Sequence, residues 1–207
     1  MSKHSFSTAT AATTADAAAA TFAATAARFA VPARFAVVAA VVLTAAGCGA
    51  TDAGGGTVPE GWGTLKTSSV TVAHPPGFVP QGEKERSRHN AAAATLTEGG
   101  EDIGMITVQL DFTDADSAEE AAIGAEAAVA LGSTLGEQSA IEVAGPDGPA
   151  EARRTEFAFT EKGKRVEGVI VAGLDSAKQT YAVRVDARKG GLGDGDLTKI
   201  LRSITVT

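Results

Sequence analysis

The chain has 207 residues, one cysteine and a formal charge of −7. Residues 1–47 hold Lys3, Arg28 and Arg34 against Asp16, so the remainder carries 15 basic and 24 acidic side chains, a net −9. A domain that acidic repels a phosphate backbone, which argues against nucleic acid as a partner, and a lone cysteine excludes an internal disulfide framework.

Ser2 to Ala30 is mostly Ala, Thr and Ser and lacks an apolar periodicity that a core could use. Phe35 to Ala46 is then uncharged and apolar for 12 residues, with Arg34 as its positive flank. A spanning helix needs about 20 residues, so this run has the length of a signal h-region. Arg28 and Arg34 are not adjacent, so there is no twin-arginine signal. The run closes on Leu43-Thr44-Ala45-Ala46-Gly47-Cys48. Small residues before that cysteine resemble a bacterial lipobox, with Ala45 where Leu is most frequent and Leu43 two positions earlier. The resemblance implies diacylglyceryl transfer to the Cys48 sulfur, cleavage between Gly47 and Cys48, and a two-chain anchor where one chain would be marginal. The alternative is an ordinary secretory signal cleaved after an A-x-A-like site. Residues 1–47 are thus expected as a lipoprotein signal peptide, 48–59 as the lipidated cysteine and a flexible Gly-rich tether, and 60–207 as one folded domain.

Within that domain, Trp62–Lys66 and Ser69–His74 read as short strands, the second stopped by Pro75-Pro76-Gly77-Phe78. Gln81–Asn90 is charged without periodicity and reads as a loop. Ala91–Thr97 and Ile103–Phe112 are expected to pair through a hairpin at Glu98–Asp102. Ile106, Val108, Leu110 and Phe112 alternate with polar residues, the pattern of an antiparallel strand wet on one side. Asp116 or Ser117 should cap a helix running to about Leu131, with Ala118, Ala121, Ala122, Ala125 and Val129 as its packing stripe and Gly132 as its stop. Gln138–Ala144, Ala150–Thr160, Arg165–Leu174 and Gln179–Arg188 are expected strands, the last three forming an antiparallel meander. Gly190–Asp196 is a loop in which Asp194 or Asp196 caps a final helix bearing Leu197, Ile200, Leu201 and Ile204. Thr205–Thr207 is expected as a short edge strand.

The order of parts, with Trp62 ahead of the opening strands, the Pro75-Pro76-Gly77-Phe78 segment, the Gly145-Pro146 turn and the terminal Leu197–Ile204 helix, resembles the Mog1/PsbP-like fold. More specifically it resembles actinobacterial lipoproteins of the LpqN/LpqT type. The resemblance covers about residues 60–207 and implies an α+β domain: an antiparallel β-sheet with helices packed on it, as an α/β/α sandwich. It also implies accessory or binding roles without a shared active site.

The chemistry in the residues is sparse. His74 and His89 lack the close His/Cys/Asp/Glu spacing of a zinc site and read as a strand-end and a loop residue. No G-x-S-x-G nucleophile elbow is present, and the Gly190–Asp196 loop lacks the regular ligand spacing of a calcium loop. Arg153-Arg154 and Lys162, Lys164, Arg165 are local basic groups that could meet anionic headgroups or a carboxylate. No catalytic, metal or cofactor-binding residue is therefore expected. The expected function is that of a non-enzymatic accessory or binding protein anchored on the extracytoplasmic face of the cell membrane. It would offer its sheet face, or a cleft beside the Pro75–Asn90 loop, to an envelope protein or a lipid-like ligand. The competing readings are an envelope hydrolase or other enzyme, and a purely structural lipoprotein.

Overall fold

Alternating apolar residues and glycine-containing turns build most of the domain as strands. The computed structural model describes residues 56–129 and 131–207; the signal segment, the Gly47–Cys48 junction and most of the tether lie outside them. The elements are β1 (Gly63–Lys66), β2 (Val70–His74), β3 (Phe78–Pro80), β4 (Ala92–Glu98), β5 (Glu101–Leu110), α1 (Ala118–Glu126), β6 (Thr134–Gly145), β7 (Gly148–Glu161), β8 (Lys164–Leu174), β9 (Thr180–Arg188), α2 (Asp194–Arg202) and β10 (Thr205–Val206). Among the described residues they form one ten-stranded sheet in the order β1-β2-β10-β6-β7-β8-β9-β5-β4-β3. The sheet curls so that β1, at one edge, comes up against β4, next to the other.

The protein is α+β, but its sheet is mixed rather than antiparallel. β10 lies antiparallel to β2, with Val206 opposite Val70, and parallel to β6, with Thr205 opposite Ala144. The expected edge strand is therefore an internal one. Its neighbours lie far away in sequence, so no local pattern could reveal that position.

Each face is buried under a different helix. On the inner face Val169, Val171, Val183 and Val185 join Ile106, Val108, Val70, Val72 and Val206, with Ile200 of α2 and the adjacent Ile204 closing over them. On the other face Ile170, Ala172, Ala182 and Phe157 meet Ala121, Ala122 and Ala125 of α1. Successive residues of β8 and β9 thus serve opposite cores, and the small side chains of α1 let it lie close to the sheet.

Local chemistry sets the element ends. Ser117 caps α1 by accepting from the Glu120 amide at 3.2 Å, and the Glu120 carboxylate reaches back to the Asp116 amide at 2.8 Å. α1 stops at Glu126, short of the expected Leu131, because residues beyond it tighten into turns in which Ala128 and Val129 donate to Ala125 and Glu126. The Glu126 carboxylate meanwhile accepts from Thr155 at 2.7 Å and from Gln138 at 3.1 Å, tying the helix end to β7 and β6. β6 begins at Thr134, before the expected Gln138, by way of an irregularity between Leu135 and Gln138. β3 follows directly on the proline stop and is a strand the residue pattern does not announce; it pairs Phe78 with Leu96 at the sheet edge, where Pro80 needs no donor. α2 starts after Gly193, without the aspartate side-chain cap expected at Asp194 or Asp196.

The C-terminal end of α2 is fastened by Ser203, whose hydroxyl accepts from the Ala73 amide at 2.8 Å and donates to the Ile200 carbonyl at 2.7 Å. All ten described strands find their partners within residues 63–206, and both described cores are built from that stretch. Ser203→Ala leaves the buried Ala73 N–H without its acceptor and should destabilise the domain by about 1–3 kcal/mol. Urea unfolding followed by circular dichroism measures this, and an unchanged midpoint would show the bond to be dispensable.

Candidate functional site

Side chains that are separate in the sequence meet where the β7–β8 tip adjoins the end of β9. β8 begins with Lys164 and Arg165, and β9 ends with Arg188 followed by Lys189. Val166 pairs with Arg188, and the Lys189 amide donates to the Arg165 carbonyl at 2.9 Å, which sets the two basic pairs side by side. Two carboxylates each bridge two of these cations. Glu101 lies 2.7 Å from Arg188 and 3.3 Å from Lys164; Glu167 lies 2.8 Å from Arg165 and 3.9 Å from Lys189. Arg188 and then Lys164 hold the Glu101 carboxyl below its ordinary range, and a hydrogen bond from Arg165 does the same for Glu167. Both shifts come first from charge-assisted hydrogen bonds to the neighbouring cations.

The chain then turns sharply. Gly190 takes a positive φ of 83°, and the Gly191 amide returns to the Arg188 carbonyl at 2.7 Å. A Cβ on Gly191 would lie 3.0 Å from that carbonyl, so a larger residue there would crowd the turn. It brings Leu192 and the start of α2 over the inner face of the sheet. Beneath them opens a cleft of about 480 Å³, with Val169, Val185, Ala187, Leu192 and Leu197 as apolar lining and Leu135 on its wall. A second hollow of about 370 Å³, lined by Glu98, Ile103, Lys164, Arg165, Arg188 and Lys189, adjoins it; Arg165, Arg188, Lys189 and Gly190 belong to both. None of the lining comes from the Pro75–Asn90 loop, where the sequence suggested a cleft.

The other residues singled out in the sequence do not converge. His74 is buried at the end of β2 with Nδ1 3.3 Å from the Pro75 carbonyl, whereas His89 sits exposed beside Arg88. Asp196, expected in the glycine-rich loop, lies in the first turn of α2 and pairs with Lys199 at 3.3 Å. Among the described residues no group of three or more His, Cys, Asp or Glu could hold a metal, and no helix is long and apolar enough to cross a membrane. Arg153 spans to Glu151 and Glu119, away from the β8–β9 cations. Arg184 is stacked over Phe157, 4.7 Å from the ring centroid, while its Nε donates to Asp186 at 2.7 Å. Burial raises the Asp186 carboxyl despite that partner. The sequence marks Lys164 and Arg165 as a basic group but does not unite them with Arg188 and Lys189. The available signal is that the meander connections place the start of β8 beside the end of β9.

No family model matches the chain, and no curated protein sequence matches it. Among solved structures it is similar to a protein of Bacteroides thetaiotaomicron VPI-5482, with a TM-score of 0.43, 8% identity, and coverage of 67% of this chain and 45% of that one. It is also similar to the Saccharomyces cerevisiae Ran-binding protein Mog1p, with a TM-score of 0.42, 13% identity, and coverage of 69% and 86%. The chain thus spans less than half of the Bacteroides protein it matches.

The carboxyl of Glu101 offers a direct reading of its hydrogen bonds to Arg188 and Lys164. Its lowered value means that its stabilising contribution is present above its ordinary 4.5 and lost as the pH falls through the folded value. Arg188→Gln should move the Glu101 titration upward in a carbon-13 NMR experiment, because the largest cause of the lowering is removed. An unmoved titration would mean that the pair does not persist in solution.

Proposed function

We propose that this is a lipid-anchored extracytoplasmic lipoprotein of the cell envelope, acting as a non-enzymatic accessory or binding protein. The observation that carries the reading is the run of small residues ending in Gly47-Cys48 directly behind 12 uncharged apolar residues. The mature chain would begin at Cys48, hold the membrane through acyl chains on that residue, and present the domain on a short Gly-rich tether. In fold we assign it to the Mog1/PsbP-like group, and within that group to the LpqN/LpqT type. The mixed sheet with a helix on each face is compatible with the first assignment; the second rests on the sequence resemblance.

A binding role is favoured by the cleft under α2. At about 480 Å³ it falls within the roughly 300–1,000 Å³ of ligand pockets, and its lining mixes Leu135, Leu192 and Leu197 with Arg165, Arg188, Glu156 and Asp194. The membrane is one partner through the lipid; a lipid-like ligand or an envelope protein occupies the domain itself. Cys48→Ser should abolish incorporation of a labelled fatty acid and release the protein from the membrane fraction, or leave it uncleaved. Mass spectrometry of the N-terminal peptide reads the modification directly. Equal labelling and processing of the variant would defeat the anchor.

A further inference from the structure

We infer that the open side of β6, between Gln138 and Val143, takes an extended segment of a partner protein as one more antiparallel strand of the sheet. This deepens the binding role proposed above, on which it rests, by naming the chemistry of the protein partner. β6 is 12 residues long, yet its neighbour β10 has only 2 and meets it at Ala144 alone. In an antiparallel pair the main-chain groups of successive residues point alternately toward the partner strand and away from it. The Ala144 amide donates to the Ile204 carbonyl at 3.4 Å, so at Ala144 they point away from β7. The register with β7 is unbroken from Gln138 to Gly145, so the groups of Glu142, Ala140 and Gln138 point the same way, where β10 does not reach. Among the described residues no hydrogen bond reaches those amides and carbonyls, and Ala140 and Glu142 are exposed.

The other open edges are guarded. β3 is 3 residues long and ends on Pro80, and β1 is 4 residues long and comes up against β4. Shortness and proline keep a stray strand from adding to an edge, and β6 has neither device between Gln138 and Val143. The unpaired groups ask for a chain with its own amides and carbonyls at strand spacing, which neither a small ion nor a lipid supplies. Thr205 already occupies Ala144, and the register breaks between Leu135 and Gln138. The added strand is therefore about six residues, roughly 20 Å. A hollow of about 280 Å³ between β6 and α2 lies beside this stretch, lined by Ile141, Leu197 and Leu201 together with Arg154 and Arg202. Alternate side chains of the added strand enter there, and apolar ones cover the half-buried Ile141, Leu197 and Leu201. The intervening ones lie beside Ala140 and Glu142, where a cation pairs with the carboxylate. A second copy of this chain fits poorly. With Ala140 opposite Ala140, Gly136 of one copy falls on Ala144 of the other, where Thr205 sits, and each domain carries a net −9.

The test uses the full chain in a non-ionic detergent and capped, fluorescent hexapeptides that alternate Val or Ile with Thr or Lys, a lysine lying opposite Glu142. Anisotropy should rise on binding, and the amides of Gln138, Ala140 and Glu142 should gain protection from hydrogen exchange. Those of Ser139 and Ile141, which face β7, should change little. N-methylation of the peptide where its N–H groups face β6 should weaken binding by roughly tenfold or more, and at the intervening residues it should have little effect. Ala140→Pro removes an amide that β7 does not use, so circular dichroism should show the fold intact while affinity falls by roughly tenfold. Absence of binding, indifference to which amides are methylated, unchanged affinity of Ala140→Pro, or a dimer in sedimentation that Ala140→Pro dissolves would each overturn the inference. None of those results alters the Cys48 modification, so failure of the site and failure of the anchor are read separately.

Discussion

Two residues hold the sheet together. Thr205 and Val206 form the strand that touches both the opening hairpin and the meander, and the bonding continues at either end, where the Thr207 amide reaches the Ser69 carbonyl and the Ala144 amide reaches the Ile204 carbonyl. Without β10, the β1–β2 hairpin would have no hydrogen-bonded neighbour on that side, and a lone two-stranded hairpin is marginal in water. Ile204 and Val206 are fully buried on the inner face, so ladder and core fail or hold together. The same segment fixes α2, because Ser203 locks the helix end to Ala73 across 130 positions of sequence. Leu197, at the other end of α2, reaches the cleft only because that end is anchored. The segment after α2 therefore helps to position one wall of a cleft whose other lining comes mainly from β6 to β9.

That dependence explains which parts of the fold are legible in the sequence. β5 is legible because Ile106 and Val108 alternate with Thr107 and Gln109, although Thr107 is buried on the second face rather than wet. The α1 start is legible because Ser117 and Glu120 cap it from within four positions. β10 is not, since a two-residue strand has no period and its partners come from opposite ends of the domain. The end of α1 departs from expectation for a related reason. Alanine favours helix on to Ala128, but the chain tightens into turns after Glu126, whose carboxylate accepts from Thr155 and Gln138. Local propensity yields to distant partners in each case.

The cleft divides in the same way. Lys162, Lys164 and Arg165 stand out as a basic cluster, and Arg188 is visible as the polar face of a strand. Their meeting depends on antiparallel register, which sets two ordinary strand ends side by side. The apolar part is less legible still, because Val169 and Val185 read simply as core. They line a cleft only where α2 stops covering them, at Leu197 and Leu192.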